Sequence, residues 1–343
     1  MSGELFPTAA GTGLHPQTPR LSDRFGRSID YLRVSVTDRC DLRCTYCMPS
    51  GFKGYEDPPD WLSFDEIERV VAAFARLGTS RVRLTGGEPL TRRGLPQLAQ
   101  RLAVLPGLRD LSLSTNGTRL ARYADELYAA GVSRVNVSLD TLDRDCMKGI
   151  TGRDCLPSVL AGLQAAKAAG LAPIKINMVA MLGVNDAEID AVAAFCIEQH
   201  FVLRLIEVMP MGETGRNTAY LNLGPVQERL ARRFDLRPQA LEIGGGPARY
   251  WSTADGSAAI GYITPMSQHF CATCNRVRLS VDGTLYLCLG QEQQYPLRPL
   301  LRGGASDAEL EAAIRAAIEL KPEQHDFGRQ PEKIIRFMSQ TGG

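Results

Sequence analysis

From Tyr31 the chain alternates apolar and polar side chains through Leu32-Arg33-Val34-Ser35-Val36-Thr37, the period of two expected of a strand. The period then lengthens. Ser63 followed three residues on by Glu66 forms a capping-box sequence, and Ile67, Val70, Val71, Phe74 and Leu77 recur at helical spacing until Gly78 ends the run. The unit repeats. Strands are predicted at 81–85, 110–114, 134–138, 173–179 and 203–208, with helices over about 95–105, 120–130, 157–169 and 186–199 between them. Strands alternating with helices of ten or more residues predict a parallel sheet. Six such units make the fold class α/β, an incomplete (β/α)6 TIM-type barrel whose strand C-termini form the active face.

After Met209-Pro210 this alternation stops. Residues 212–222 are polar, a helix is expected over about 225–234, and Gly244-Gly245-Gly246-Pro247 marks a turn. Short strands are expected near 249–252, 258–263 and 276–288, and an amphipathic helix over about 307–320 stops before Pro322. The first 25 residues are rich in Pro, Gly and Thr and have no period. The expected organisation is a mobile leader (1–25), a partial barrel (26–212) and a C-terminal extension (213–343).

Charge narrows the function. With 39 Lys and Arg against 38 Asp and Glu, the net charge is +1, too small for a general nucleic-acid or membrane surface. Any polyanion must be met by local arginines. No apolar run approaches the ~20 residues of a membrane span, and no secretory signal is visible at Met1, so a reducing cytoplasm is expected. The nine cysteines, an odd and clustered set, fit metal ligation better than disulfides.

Cys40, Cys44 and Cys47 directly follow the first strand, at spacings that let one loop place three thiolates around a single iron–sulfur cluster. Structural zinc is the alternative, but it normally closes four ligands, and no fourth lies nearby in sequence. Three ligands on a four-iron cluster leave one iron open for substrate or cofactor. A second set, Cys271, Cys274 and Cys288, repeats the arrangement near the C-terminus, with His269 keeping a zinc ribbon in view. Beside it, Arg276 and Arg278 share one face of an alternating strand, and two guanidiniums aimed the same way suit a phosphate chain.

The first loop, Cys-Asp-Leu-Arg-Cys-Thr-Tyr-Cys-Met-Pro, resembles the signature of the radical S-adenosylmethionine superfamily, and Thr85-Gly86-Gly87-Glu88-Pro89 resembles its Gly-Gly-Glu-Pro segment. That resemblance implies a 4Fe-4S cluster on Cys40, Cys44 and Cys47. It also implies S-adenosyl-L-methionine approached by Tyr46, Gly87, Glu88, Ser138 and Met209. On sequence alone Ser138 could instead cap a helix, and Met209 could be core. With Ser-Thr-Asn-Gly, Asn-Val-Ser-Leu-Asp, Phe-Cys-Ala-Thr-Cys-Asn-Arg-Val-Arg-Leu and the terminal Gly-Gly, the chain from about residue 22 onward resembles the GTP 3′,8-cyclase family of molybdenum cofactor biosynthesis. That family implies a second 4Fe-4S cluster on Cys271, Cys274 and Cys288 that receives the guanine, both sites facing one cavity. It implies GTP contacts from Arg33, Arg83, Ser114, Lys175, Arg276, Val277 and Arg278, and a catalytic tail, Gly342-Gly343, inserted beside the arginines. A radical made from the cofactor would take the ribose C3′ hydrogen, and the resulting carbon radical would attack guanine C8. The partners implied are an electron donor, a downstream cyclic pyranopterin monophosphate synthase and a second copy of the chain.

Two departures stand out: Asp41 where Asn is expected more often, and Ser114 where Thr is. Lys175 could alternatively pair with Glu207. Cys146, Cys155 and Cys196 fit neither set, and Cys196 sits in an apolar stretch that reads as core. A peptide-modifying radical enzyme and a zinc-ribbon scaffold without catalysis remain the rival readings.

Overall fold

The computed structural model describes residues 20–241 and 243–342. Its first helix shows how directly local sequence becomes structure. In α1 (Phe64–Arg76) the Ser63 hydroxyl accepts from the Glu66 amide while the Glu66 carboxylate accepts from the Ser63 amide. Ile67, Val70, Val71 and Phe74 face the core. The partial barrel is β1 (Tyr31–Ser35), α1, β2 (Arg81–Thr85), α2 (Leu95–Ala103), β3 (Asp110–Thr115), α3 (Leu120–Ala129), β4 (Arg134–Ser138), α4 (Arg144–Thr151), α5 (Leu156–Ala169), β5 (Lys175–Ala180), α6 (Ile189–Gln199) and β6 (Val202–Glu207). The extension adds α7 (Gly212–Arg216), α8 (Leu223–Arg233), β7 (Arg237–Gln239), β8 (Arg249–Ser252), β9 (Ala259–Ile263), β10 (Arg276–Leu279), β11 (Thr284–Tyr286), β12 (Gln294–Pro296), α9 (Arg298–Arg302), α10 (Asp307–Glu319) and α11 (Met338–Thr341).

Among the described residues the extension builds no sheet of its own. The strand order β12-β11-β10-β1-β2-β3-β4-β5-β6-β9-β8-β7 places β10 parallel to β1 and β9 parallel to β6. The six-unit arc becomes eight parallel strands, with a short antiparallel ribbon closing off each outer edge. Both ribbons come from the last third of the chain. The core lies between this sheet and its helices, and Leu32, Val34, Leu84, Leu113, Val137, Ile176 and Leu205 are completely buried in it.

Of the expected leader, residues 1–19 lie outside the described residues, and residues 20–25 depart from the expectation. Leu21 is buried, donates its N–H to Leu77 O and accepts from the Ile29 N–H, and the buried Asp23 pairs with Arg27 at 2.6 Å. No helix of the described residues is long and apolar enough to cross a membrane.

Candidate functional site

The chain leaving β1 carries Cys40, Cys44 and Cys47, and the turn leaving β2 is docked on it. Gly87 N–H donates to Thr37 O at 2.7 Å, and Glu88 N–H donates to Arg39 O at 2.8 Å. A side chain at Gly87 would put its Cβ 2.3 Å from Arg39 O, so only glycine allows this approach. Glu88 is completely buried, and its carboxylate accepts from the Asn116 amide (2.6 Å), the Thr115 hydroxyl (2.8 Å) and the Leu90 amide (3.0 Å). Burial pushes it up to about 7 despite those donors. Both oxygens are thus occupied in joining the ends of β2 and β3.

Asp41 explains its own departure from asparagine. One oxygen accepts from the Asn116 side-chain amide and the other from the Thr118 hydroxyl, each at 2.8 Å, with Arg119 at 3.7 Å. The same Asn116 amide lies 3.7 Å from the Cys40 sulfur. Tyr46 donates its hydroxyl to Asp140 at 2.8 Å. Ser138 is exposed at the end of β4, and the cap of α4 is Asp143, not Ser138. Burial pushes the Cys40 and Cys47 thiols up to about 12 and holds Cys44 well above its ordinary value. Such thiols need a cationic centre to become thiolates, and an iron core supplies one.

The arc of the sheet borders a cavity. Its wall holds Arg33, Arg83, Arg204, Arg276 and Arg278, all three cysteines of the second set, and no carboxylate among the described residues. Met209 and Met338 also border it, whereas the first three cysteines do not. Met209 belongs to a small apolar cluster with Met211, Phe327 and Ile334 as well. Strand register assembles the cationic row, because Arg278, Arg33 and Arg83 are lateral partners on β10, β1 and β2. Burial pushes Arg278 down to about 9 and Arg83 to about 10, and holds Arg33 well below its ordinary value with Arg278 and Arg83 adding repulsion. Val277 borders the cavity, but its side chain packs in the apolar core.

Two residues expected to reach the substrate do not line this cavity. Lys175 is completely buried off this wall, and its ammonium donates to Ile243 O at 2.8 Å. It is not paired with Glu207, whose oxygens accept from the Tyr220 and Ser267 hydroxyls and from the Met266 and Ser267 amides. The Ser114 hydroxyl is buried without a partner. The tail does reach the arginines: Arg278 donates to the carbonyls of Thr341 and Gly342. Gly343 lies outside the described residues.

At the second set, Cys271 and Cys274 bound a short 3-10 turn, and Cys288 follows β11. Burial pushes the Cys274 thiol up, but Lys321, Arg276 and Arg27 outweigh it and bring it to about 7. His269 is exposed and its ring faces His325 at 3.2 Å. Among the described residues no three His, Cys, Asp or Glu side chains close around a point the size of one metal ion, as a zinc ribbon would require. Of the remaining cysteines, Cys155 and Cys196 are buried, and Cys146 is half-buried.

Sequence reasoning missed Arg204 and Tyr31. Arg204 bonds Asn136, and Tyr31 is buried with Arg83 5.3 Å over its ring. The available signal was an arginine or tyrosine at alternate positions of strands otherwise reading as core, where an unpaired cation is rare.

Burial and the guanidiniums of Arg204, Arg134 and Arg83 push Lys175 down to about 5. It is therefore neutral at pH 7. A polyanion bound among those guanidiniums offsets their repulsion and raises it, so binding should take up at most one proton and weaken as pH rises from about 5 through the raised value. Calorimetry of GTP binding in two buffers of different ionisation enthalpy measures the uptake. Equal heats would show that Lys175 does not titrate with the ligand.

Comparison with known proteins bears on the same residues. Residues 34–196 match the Radical SAM superfamily model, and residues 201–327 match the Molybdenum Cofactor Synthesis C model. The chain is 48% identical over 332 residues to a GTP 3′,8-cyclase of Paracoccus denitrificans (strain Pd 1222), covering 94% of this chain and 96% of that one. A GTP 3′,8-cyclase of Pseudomonas entomophila (strain L48) is 47% identical, with 94% and 98% covered. In fold, it is similar to Streptococcus suis SuiB bound to S-adenosylmethionine, with a TM-score of 0.57 and 16% identity over 84% of this chain and 68% of that one.

Proposed function

The chain belongs to the GTP 3′,8-cyclase family within the radical S-adenosylmethionine superfamily, and on that premise we propose how its own residues perform the reaction. The reaction is conversion of GTP to (8S)-3′,8-cyclo-7,8-dihydroguanosine 5′-triphosphate, the first step of molybdenum cofactor biosynthesis. The enzyme uses two 4Fe-4S clusters and S-adenosyl-L-methionine. We assign Cys40, Cys44 and Cys47 to the first cluster and Cys271, Cys274 and Cys288 to the second. When bound, the first cluster and S-adenosyl-L-methionine supply a carbon radical able to abstract an unactivated hydrogen, and the second supplies an open iron for the base.

Everything else is positioning. Arg33, Arg83, Arg204, Arg276 and Arg278 grip the triphosphate, which replaces their mutual repulsion with charge-assisted hydrogen bonds. Lys175, protonated as the triphosphate binds, adds charge from behind them, Ser114 offers its free hydroxyl, and Val277 acts through its backbone. On the cofactor side, the turn at Gly86-Gly87 meets the amino group through its backbone, because the Glu88 carboxylate is committed to Thr115, Asn116 and Leu90. Tyr46, Ser138 and Met209 flank the rest of the cofactor. Gly342 and Gly343 close the site beside Arg278. One observation carries this reading: five arginines and three cysteines share a cavity with no carboxylate on its wall among the described residues.

We place the protein in a reducing cytoplasm, consistent with nine unpaired cysteines. An electron donor follows from the need to reduce the clusters, and cyclic pyranopterin monophosphate synthase is the consumer of the product. A second copy rests on family resemblance alone. Anaerobic reconstitution followed by iron, labile-sulfide and product analysis tests the whole. Two four-iron clusters and GTP cyclisation are expected; two zincs without labile sulfide would refute it, and iron with no affinity for GTP would favour a peptide-modifying radical enzyme.

A further inference from the structure

Lys321 lies just past the end of α10, beside the exposed Leu320, yet its side chain runs inward and is 1% exposed. Its ammonium donates to Arg276 O at 3.0 Å and to Leu287 O. These carbonyls belong to two separated segments, one two residues after Cys274 and the other immediately before Cys288. The ammonium also borders the cavity, and among the described residues no carboxylate lies within ion-pairing distance of it.

Arg27 makes the contrast. It too reaches this loop, donating to Cys271 O at 2.9 Å and to the carbonyls of Pro322 and Glu323, but its charge is already answered by Asp23. Lys321 has no such partner, and a buried ammonium without an anion is disfavoured by desolvation. The wall that Lys321 shares in that cavity also carries the three thiols of Cys271, Cys274 and Cys288.

We propose that Lys321 is a positioning and charge-compensating residue of the second cluster. It ties the Cys274 and Cys288 segments together through their carbonyls and supplies the fixed positive charge that offsets the three thiolates. This rests on reading Cys271, Cys274 and Cys288 as cluster ligands. Three thiolates outweigh the charge of an oxidised four-iron core, and reduction adds one more negative charge. A fixed cation therefore stabilises the reduced form more than the oxidised form and raises the reduction potential. A lysine that only tied the loops would leave the potential alone.

The test uses the full chain carrying Cys40→Ala, Cys44→Ala and Cys47→Ala, so that the second cluster is the only signal. Lys321→Met removes the charge at similar volume, and Lys321→Arg keeps it. After anaerobic reconstitution, iron content is measured and the cluster is titrated by potentiometry with electron paramagnetic resonance. The Lys321→Met protein should titrate at a more negative potential than its parent, and the Lys321→Arg protein close to the parent. An unchanged potential in Lys321→Met, or an equal shift in both variants, overturns the proposal. If Lys321→Met assembles no cluster while Lys321→Arg does, at the parent's potential, the proposal stands; if neither assembles one, it falls. A parent that holds no cluster refutes the ligand reading itself, and the inference with it.

Discussion

Replacing Cys274 with alanine is expected to cut GTP cyclisation by at least about 10²-fold while leaving reductive cleavage of S-adenosyl-L-methionine largely in place. The two sites are separable in the structure. Cys40, Cys44 and Cys47 sit in the loop after β1, held by the turns after β2 and β3, and do not touch the cavity that Cys271, Cys274 and Cys288 line. Losing Cys274 leaves the first loop's hydrogen bonds to Asn116 and to the β2 turn intact, so radical production continues. The base, however, loses the iron that holds it, and misplacement of the reacting atoms by about 1 Å can cost 10²-fold. Chromatographic measurement of 5′-deoxyadenosine and of cyclised product from one anaerobic incubation separates the two steps. A parallel fall in both would mean that the second site supports the first, and undiminished cyclisation would remove it from the mechanism.

The second large effect is expected at the tail. Gly342 has φ +74°, and an added Cβ would lie 2.3 Å from Thr85 Cγ2 and 2.5 Å from its hydroxyl, at the end of β2. Gly342→Ala therefore combines the strain of a positive-φ, extended-ψ backbone (φ 74°, ψ 140°), about 1–3 kcal/mol, with a collision. The tail should leave, and Arg278 with it loses the Gly342 carbonyl that it holds. Product formation should fall more than tenfold, with little change in thermal stability, because only the last residues move. Gly304→Ala is the matched control. Its φ is +76° and nothing lies within 4 Å of the added carbon, so it places a side chain at positive φ without a collision. Equal activity losses in the two variants would mean that contact with Thr85 is irrelevant.

Much of this protein is local and was legible as such. The capping box at Ser63, the stripe from Ile67 to Phe74 and the repeated strand-helix period describe elements whose reasons lie within a few residues of each other. Cys40, Cys44 and Cys47 are equally local, since one loop carries all three. The chain beyond residue 209 was harder to read. Its strands are short, and β9 and β10 matter because they extend the two edges of the barrel sheet, pairing with residues about 55 and 245 positions earlier. Nothing in their own sequence names the partner strand. For the same reason residues 20–25 read as a loose leader, although Leu21 packs beside Leu77 and Arg27 reaches Cys271.

The site divides along the same line. Sequence alone determined the chemical inventory: two cysteine trios, a Gly-Gly-Glu-Pro turn, paired arginines on one strand face and a glycine tail. Tertiary structure decided which members meet. Register across β10, β1 and β2 put Arg278, Arg33 and Arg83 in one row, and β6 brought Arg204 to the same cavity. The buried Glu88 carboxylate bonds to the next turn, and the buried Lys175 ammonium points to a backbone carbonyl. The physical reason is that spacing along a chain dictates side-chain direction only within an element. Which charges share a low-dielectric cavity depends on strand pairing between distant segments, and that pairing is selected by the whole core.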